Sequence, residues 1–122
     1  MTTYGPYAPI RRAGNLLFVS GQIGIAPLTK MAAVTIGEQT KQALQNMEHA
    51  LQAMDAGLQD IVKTTVFLTN MDDFATMNVA YEQAFGGSRP ARSTVAVREL
   101  PRVGGKVSIL VEIEAVAYKE MT

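Results

Sequence analysis

The chain has 122 residues, enough for one domain with a continuous core, and its 11 Lys and Arg balance 11 Asp and Glu. With no cysteine and one histidine, it lacks thiolate nucleophiles, disulfides and the usual ligand clusters for zinc or iron–sulfur centres within one chain. Zero formal charge argues against binding a long nucleic-acid backbone, and no apolar run approaches the roughly 20 residues that span a bilayer. The sequence therefore predicts one cytoplasmic domain, residues 1–122, and its charged fraction of 18%, low for a monomer, favours an oligomer.

The first predicted elements form a hairpin, because two extended runs flank a Gly-Asn turn. The strands are Ile10–Ala13 and Leu16–Ile25. Alternation predicts two faces for the second strand. One face carries Leu17, Val19, Gly21 and Ile23, and the other carries Leu16, Phe18, Ser20 and Gln22.

A long amphipathic helix is predicted from about Thr35 to Ala56, because apolar residues recur there at three- and four-residue spacing. Thr35 and Glu38 fit a capping box at its start, and Gly57 fits its end. The following run, Ile61–Leu68, is rich in β-branched residues and therefore predicts a buried strand.

A second helix is predicted to begin at Asp72 or Asp73 and to end at Gly86-Gly87. Two further strands, Arg92–Val97 and Lys106–Tyr118, complete the order ββαβαββ. This order predicts an α+β two-layer domain, in which a mixed sheet carries both helices on one face. The apolar stripe of the second helix consists of Phe74, Met77, Tyr81, Ala84 and Phe85.

The sheet face without helices is predicted to carry charged residues. In the last strand, Ile113 and Ala115 are expected to pack under the helices, and Glu112 and Glu114 to lie on the opposite face. Alternation along the preceding strand leads us to expect Arg92 on that helix-free face as well. A face that mixes apolar side chains with charges is typical of a buried interface in a symmetric oligomer.

Short motifs follow one another in a fixed order along nearly the whole chain. They are Gly5-Pro6-Tyr7, Gly14-Asn15-Leu16, Val19-Ser20-Gly21-Gln22-Ile23, Gln39-Thr40, Asn46, Val62-Lys63-Thr64-Thr65-Val66-Phe67-Leu68, Asp73-Phe74, Asn78, Tyr81, Pro90-Ala91-Arg92-Ser93, Leu100-Pro101 and Glu112-Ile113-Glu114-Ala115. Each motif alone is weak, but the ordered set is highly specific. In this set the sequence resembles the RidA (YjgF) family, the reactive-intermediate deaminases.

The resemblance implies a chorismate-mutase-like fold and a homotrimer whose sheets pack inward, with three sites in the clefts between subunits. It also implies hydrolysis of 2-imino acids and enamines, such as 2-aminoacrylate, to 2-oxo acids and ammonia. Such a reaction needs no cofactor and no metal, and its partner is a small imino or enamine acid.

Candidate site residues follow from the same resemblance. Arg92 matches the arginine that binds the substrate carboxylate, and a planar guanidinium can hold a carboxylate through two parallel hydrogen bonds. Glu112 matches the residue that positions the attacking water, with Glu114 as the alternative. The remaining cleft positions of the family match Tyr7, Ser20 and Asn78.

Two departures from the family pattern are visible. Thr94 stands where some members carry a cysteine, so thiol-based regulation is not available, and the segment 102–111 looks longer than in many relatives, which leaves the substrate open. Three other functions remain as alternatives. They are a dedicated catabolic deaminase for an aminomuconate-type enamine, an RNA-cleaving translation inhibitor, and a carboxylate-binding trimer without turnover.

Overall fold

The structure is a computed structural model that describes residues 3–121, so the predicted domain limits at residues 1 and 122 lie outside it. The strands and α-helices are β1 (Ile10–Ala13), β2 (Leu16–Ile23), α1 (Ile36–Gln52), β3 (Ile61–Leu68), α2 (Phe74–Phe85), β4 (Ala91–Ala96) and β5 (Val111–Tyr118). The strand order is β1-β2-β5-β3-β4, with β3 and β4 parallel and all other neighbours antiparallel. The predicted α+β class with a mixed sheet is thus confirmed. None of the described helices is long and apolar enough to cross a membrane.

The main core lies between the sheet and both helices. Leu44 and Met47 of α1 and Met77 of α2 pack there against Val66 of β3 and Ile113 of β5, each at most 1% exposed. Burying an apolar side chain of this size stabilises the fold by about 1.5–3 kcal/mol. Both helices therefore cover the same face of the sheet, as the order of elements predicted.

The structure confirms the predicted start of α1 but not its predicted end. Its capping box is confirmed, since the Glu38 N–H donates to Thr35 Oγ1 at 3.2 Å and the Thr35 N–H donates to the Glu38 carboxylate at 3.4 Å. The helix nevertheless ends at Gln52, earlier than predicted. Asp55 adopts a left-handed φ of 56° that turns the chain, and Gly57 instead precedes a single 3-10 turn.

A β-bulge in β2 reverses the faces predicted for the second half of this strand. The pairing with β5 shifts after Val19, so that Ser20 and Gly21 together lie opposite Glu114. Val19 faces the helices as predicted, but the extra residue turns Gly21 and Ile23 towards the other side. Ile23 packs there in a second, smaller core cluster. The prediction of one shared face is therefore wrong beyond Val19.

β5 begins at Val111, so the predicted strand start at Lys106 is wrong. The side chain of the buried Gln39 in α1 forms hydrogen bonds with the backbone just before this strand. Its Nε2 donates to the Ser108 carbonyl at 2.8 Å, and the Leu110 N–H donates to its Oε1 at 2.8 Å. Because a helix side chain binds the Ser108 carbonyl and the Leu110 N–H, these two groups are not free to pair with a neighbouring strand.

Candidate active site

The five predicted site residues fall into two groups on opposite sides of the sheet. Tyr7 lines one cavity together with Glu112 and a neighbouring cavity together with Ser20, both around β2. Arg92 and Asn78 line a separate cavity of about 330 Å³ beside α2. The prediction that Arg92 shares the helix-free face with the carboxylates is therefore wrong.

Arg92 lies on the helix side because of the strand register. β4 runs parallel to β3 and places Arg92 beside Thr64, whose fully buried hydroxyl shares a hydrogen bond of 2.6 Å with the Tyr81 hydroxyl of α2. The guanidinium carbon lies 4.8 Å from the ring centroid of Tyr81 and 5.6 Å from that of Phe74. Both aromatic residues belong to the predicted apolar stripe of α2 and to the family motifs, but neither is among the predicted site residues. Alternation shows which residues share a face with Arg92 but not which face that is.

The Arg92 cavity holds a cation without an anionic partner. Two ion pairs occur within residues 3–121, and neither involves Arg92. Glu82, which lines the same cavity, pairs instead with Arg89 at 3.6 Å. Asn78 Oδ1 is buried and has no hydrogen-bond partner in the described part of the chain. A free guanidinium beside a free acceptor suits a small carboxylate that also carries an N–H donor.

Glu112 is half-buried on the helix-free face, between Ile23 of β2 and Phe67 of β3. Burial raises the pKa of this carboxyl above its usual value, and the negative charge of Glu114 raises it further. A Cβ on Gly21 would lie 2.7 Å from the Glu112 Cδ, so the absence of a side chain at Gly21 makes room for the carboxylate. Neither ion pair of the described residues engages Glu112. An unpaired carboxylate of this kind can orient a water molecule or accept its proton.

The space in front of Glu112 is a cavity of about 850 Å³ along the end of β2. Tyr7 lines it on one side, and Val103, from the segment predicted to be longer than in relatives, lines it on another. The Ser20 hydroxyl does not line this space, because it donates to the Ala8 carbonyl at 2.6 Å and anchors the N-terminal segment. Within residues 3–121, no group of three or more His, Cys, Asp or Glu side chains is placed to hold a metal ion.

Sequence comparison assigns the chain to a family. Residues 1–119 match the family model described as Endoribonuclease L-PSP. The chain is 46% identical to a RutC family protein of Pyrococcus horikoshii, over 95% of this chain and 89% of that protein. It is 38% identical to the 2-iminobutanoate/2-iminopropanoate deaminase of Escherichia coli, over 94% of this chain and 88% of that protein.

Structure comparison agrees with the sequence. The crystal structure of E. coli TdcF with bound serine is 35% identical and superposes with a TM-score of 0.88, covering 97% of this chain and 91% of that one. The same two helices and mixed five-stranded sheet recur in the E. coli YjgF structure. The chain therefore belongs to the RidA (YjgF) family, the one that its sequence motifs resemble.

Proposed function

We propose that this protein hydrolyses 2-imino acids and their enamine tautomers to 2-oxo acids and ammonia, at sites formed between the subunits of a homotrimer. The observation that carries the proposal is that, among the described residues, neither the Arg92 guanidinium nor the half-buried Glu112 carboxylate has an ion-pair partner. They lie on opposite sides of one sheet, so a small substrate cannot touch both within one chain. A second copy that brings its helix-free face to the β4 edge can supply the missing carboxylate.

The names of relatives support this reaction. Proteins of mouse and E. coli at 40% and 38% identity are named 2-iminobutanoate/2-iminopropanoate deaminase. The TdcF structure carries serine, a 2-amino acid of nearly the size and shape of the proposed substrates. Both names point to a site that accepts a short 2-amino or 2-imino acid.

In the proposed mechanism, Arg92 binds the substrate carboxylate through two parallel hydrogen bonds and Asn78 Oδ1 accepts the imine N–H. Glu112 of the neighbouring subunit orients water towards C2 of the imine. Addition of this water gives a 2-amino-2-hydroxy acid, and loss of ammonia from it leaves the 2-oxo acid. Because an imine carbon is already electrophilic, positioning and proton transfer suffice, and no covalent intermediate with the enzyme is involved.

A turnover assay tests the reaction. 2-Aminoacrylate is generated in situ by a pyridoxal-phosphate-dependent dehydratase, and 2-oxo acid formation is followed with and without the protein. We expect acceleration by the wild type and a loss of about a hundredfold or more in Arg92→Ala, since a charge-assisted bidentate contact disappears. Absence of acceleration by the wild type, or full activity of Arg92→Ala, would overturn the proposal. Binding of a 2-oxo acid without turnover would favour the non-enzymatic alternative, and a preference for aminomuconate-type enamines the dedicated catabolic one.

A mixing experiment tests the shared site. Arg92→Ala and Glu112→Gln chains, each inactive alone, are unfolded, mixed in equal amounts and refolded together. If each site takes its arginine from one chain and its glutamate from another, about one quarter of the sites in a random mixture hold both residues. Recovery of about that fraction of wild-type activity is expected. A mixture as inactive as its parents would contradict the shared site.

The family description favours RNA cleavage as a second candidate function. The chain's single histidine, His49, lies on α1 and lines the Glu112 cavity, but a net charge of zero offers no basic surface for a phosphate backbone. Purified wild type and Arg92→Ala should both leave a structured RNA intact under conditions that support imine turnover. Cleavage by the wild type that Arg92→Ala abolishes would favour the nuclease instead.

A cytoplasmic location stays a prediction.

A further inference from the structure

We propose that Tyr81 is a positioning residue, which together with Phe74 holds the Arg92 guanidinium ready for the substrate carboxylate. The two residues are called the aromatic pair below. This inference rests on the proposed function, because it concerns how the carboxylate-binding arginine is held. No family motif or relative's name assigns this role to either ring.

The geometry of the aromatic pair is that of a cation–π contact. Both ring centroids lie within about 6 Å of the guanidinium carbon, the distance at which a cation is attracted to a ring face. Tyr81 is only 9% exposed, so water screens its contact with Arg92 weakly. The attraction is therefore stronger than it would be between two surface residues.

Tyr81 is itself fixed by its surroundings. Its hydroxyl shares the 2.6 Å hydrogen bond with Thr64, the residue beside Arg92 across the β3–β4 pair. On the side of α2, its ring packs on Phe85, with the ring centroids 4.6 Å apart. Burial raises the pKa of the Tyr81 hydroxyl, which keeps the ring neutral. Because the ring is held by a strand and by its own helix, it gives Arg92 a fixed contact.

An aromatic pair has an advantage over an acidic partner at this position. A carboxylate would also hold Arg92, but it would occupy the N–H donors that the substrate needs and neutralise the charge. The acidic residue available in this cavity, Glu82, pairs with Arg89 instead. Arg92 is thus restrained before substrate arrives, which lowers the entropic cost of binding, and it keeps its full charge.

Substitutions of buried residues in α2 separate the positioning of Arg92 from the packing of the core. Tyr81→Leu removes the ring, and we expect KM for 2-aminoacrylate and Kd for its 2-oxo acid product to rise about tenfold, with kcat within about twofold of wild type. Tyr81→Phe keeps the ring face and loses only the hydroxyl, so KM should stay within about threefold. Met77→Ala is the control, because Met77 is a fully buried residue of the same helix and does not line the Arg92 cavity. Its KM should match the wild type even if its thermal stability falls as much as that of Tyr81→Leu.

The outcomes distinguish this inference from the proposed function. If Arg92→Ala binds and turns over substrate like the wild type, the proposed function fails whatever Tyr81 does. If Arg92→Ala is defective while Tyr81→Leu and Met77→Ala have the same KM, only the positioning role is overturned. Should Tyr81→Leu fail to fold, Phe74→Leu replaces it, since Phe74 is 39% exposed and its loss leaves the core intact. A KM for Phe74→Leu equal to that of the wild type would then overturn the role of the aromatic pair.

Discussion

Gly21→Ala tests whether Glu112 must occupy its observed position. The alanine Cβ would lie 2.7 Å from the Cδ and 2.9 Å from the Cγ of Glu112, well inside the roughly 3.5–4.0 Å at which carbon atoms pack. The clash falls on the end of a flexible side chain, so the carboxylate moves by roughly 1 Å while the backbone stays. A misplacement of this size costs about a hundredfold in rate. We therefore expect kcat to fall about a hundredfold and the free energy of unfolding to fall by only about 1 kcal/mol.

Activity and stability are measured on the same preparations, by imine turnover and by urea unfolding. Gly87→Ala is the matched control, since a Cβ there meets no atom within 4 Å, and its kcat should equal that of the wild type. In a Glu112→Gln background, Gly21→Ala should add little further loss, because the displaced group is already inactive. Wild-type kcat in a folded Gly21→Ala variant, or an equal loss in Gly87→Ala, would refute the reasoning.

Three further outcomes follow from the same contacts. Glu114→Gln removes a charge that raises the pKa of Glu112, so the acid limb of the kcat/KM profile should move to lower pH, and an unmoved limb would contradict the coupling. Because the folded-state pKa of Glu112 is raised, its stability contribution is present at low pH and is lost as the pH rises through that value. Glu112→Gln should therefore be more stable to urea than the wild type at pH 7, with a difference that vanishes below the usual glutamate pKa of 4.5. Gln39→Ala leaves the Ser108 carbonyl and the Leu110 N–H without their partner and should cost about 2–4 kcal/mol in urea unfolding.

The parts of the fold that the sequence predicts well are those that depend on neighbouring residues. The bounds of β3, Ile61–Leu68, are the predicted ones, because a β-branched run suits a pleated, buried strand. The capping box at Thr35 and Glu38 joins residues three positions apart, so its pattern is visible in the sequence. The class of the fold follows from such local elements and their order.

The errors arise where a remote residue decides the local structure. Nothing near Ser108 in the sequence shows that a glutamine of α1 takes its carbonyl, so alternation wrongly extends β5. The bulge at Ser20 and Gly21 depends on the partner strand, and one extra residue reverses every later side chain. The face expected for Arg92 is wrong because alternation groups the residues of β4 into two faces, and only the pairing with β3 decides which of them meets the helices. Arg92 is stable on the helix side because the ring faces of Phe74 and Tyr81 attract its positive charge.

The corrected position of Arg92 strengthens the case for a shared site. An arginine and a glutamate on one face of one chain attract each other, and a direct ion pair would occupy the donors meant for the substrate. Placing them on opposite sides of the sheet prevents this pairing within the chain. In the proposed trimer, Arg92 then meets the glutamate of a different copy across a cleft, where substrate carboxylate and water separate the two charges. The separation that rules out a site within one chain is thus the feature that keeps both groups free for a site between two.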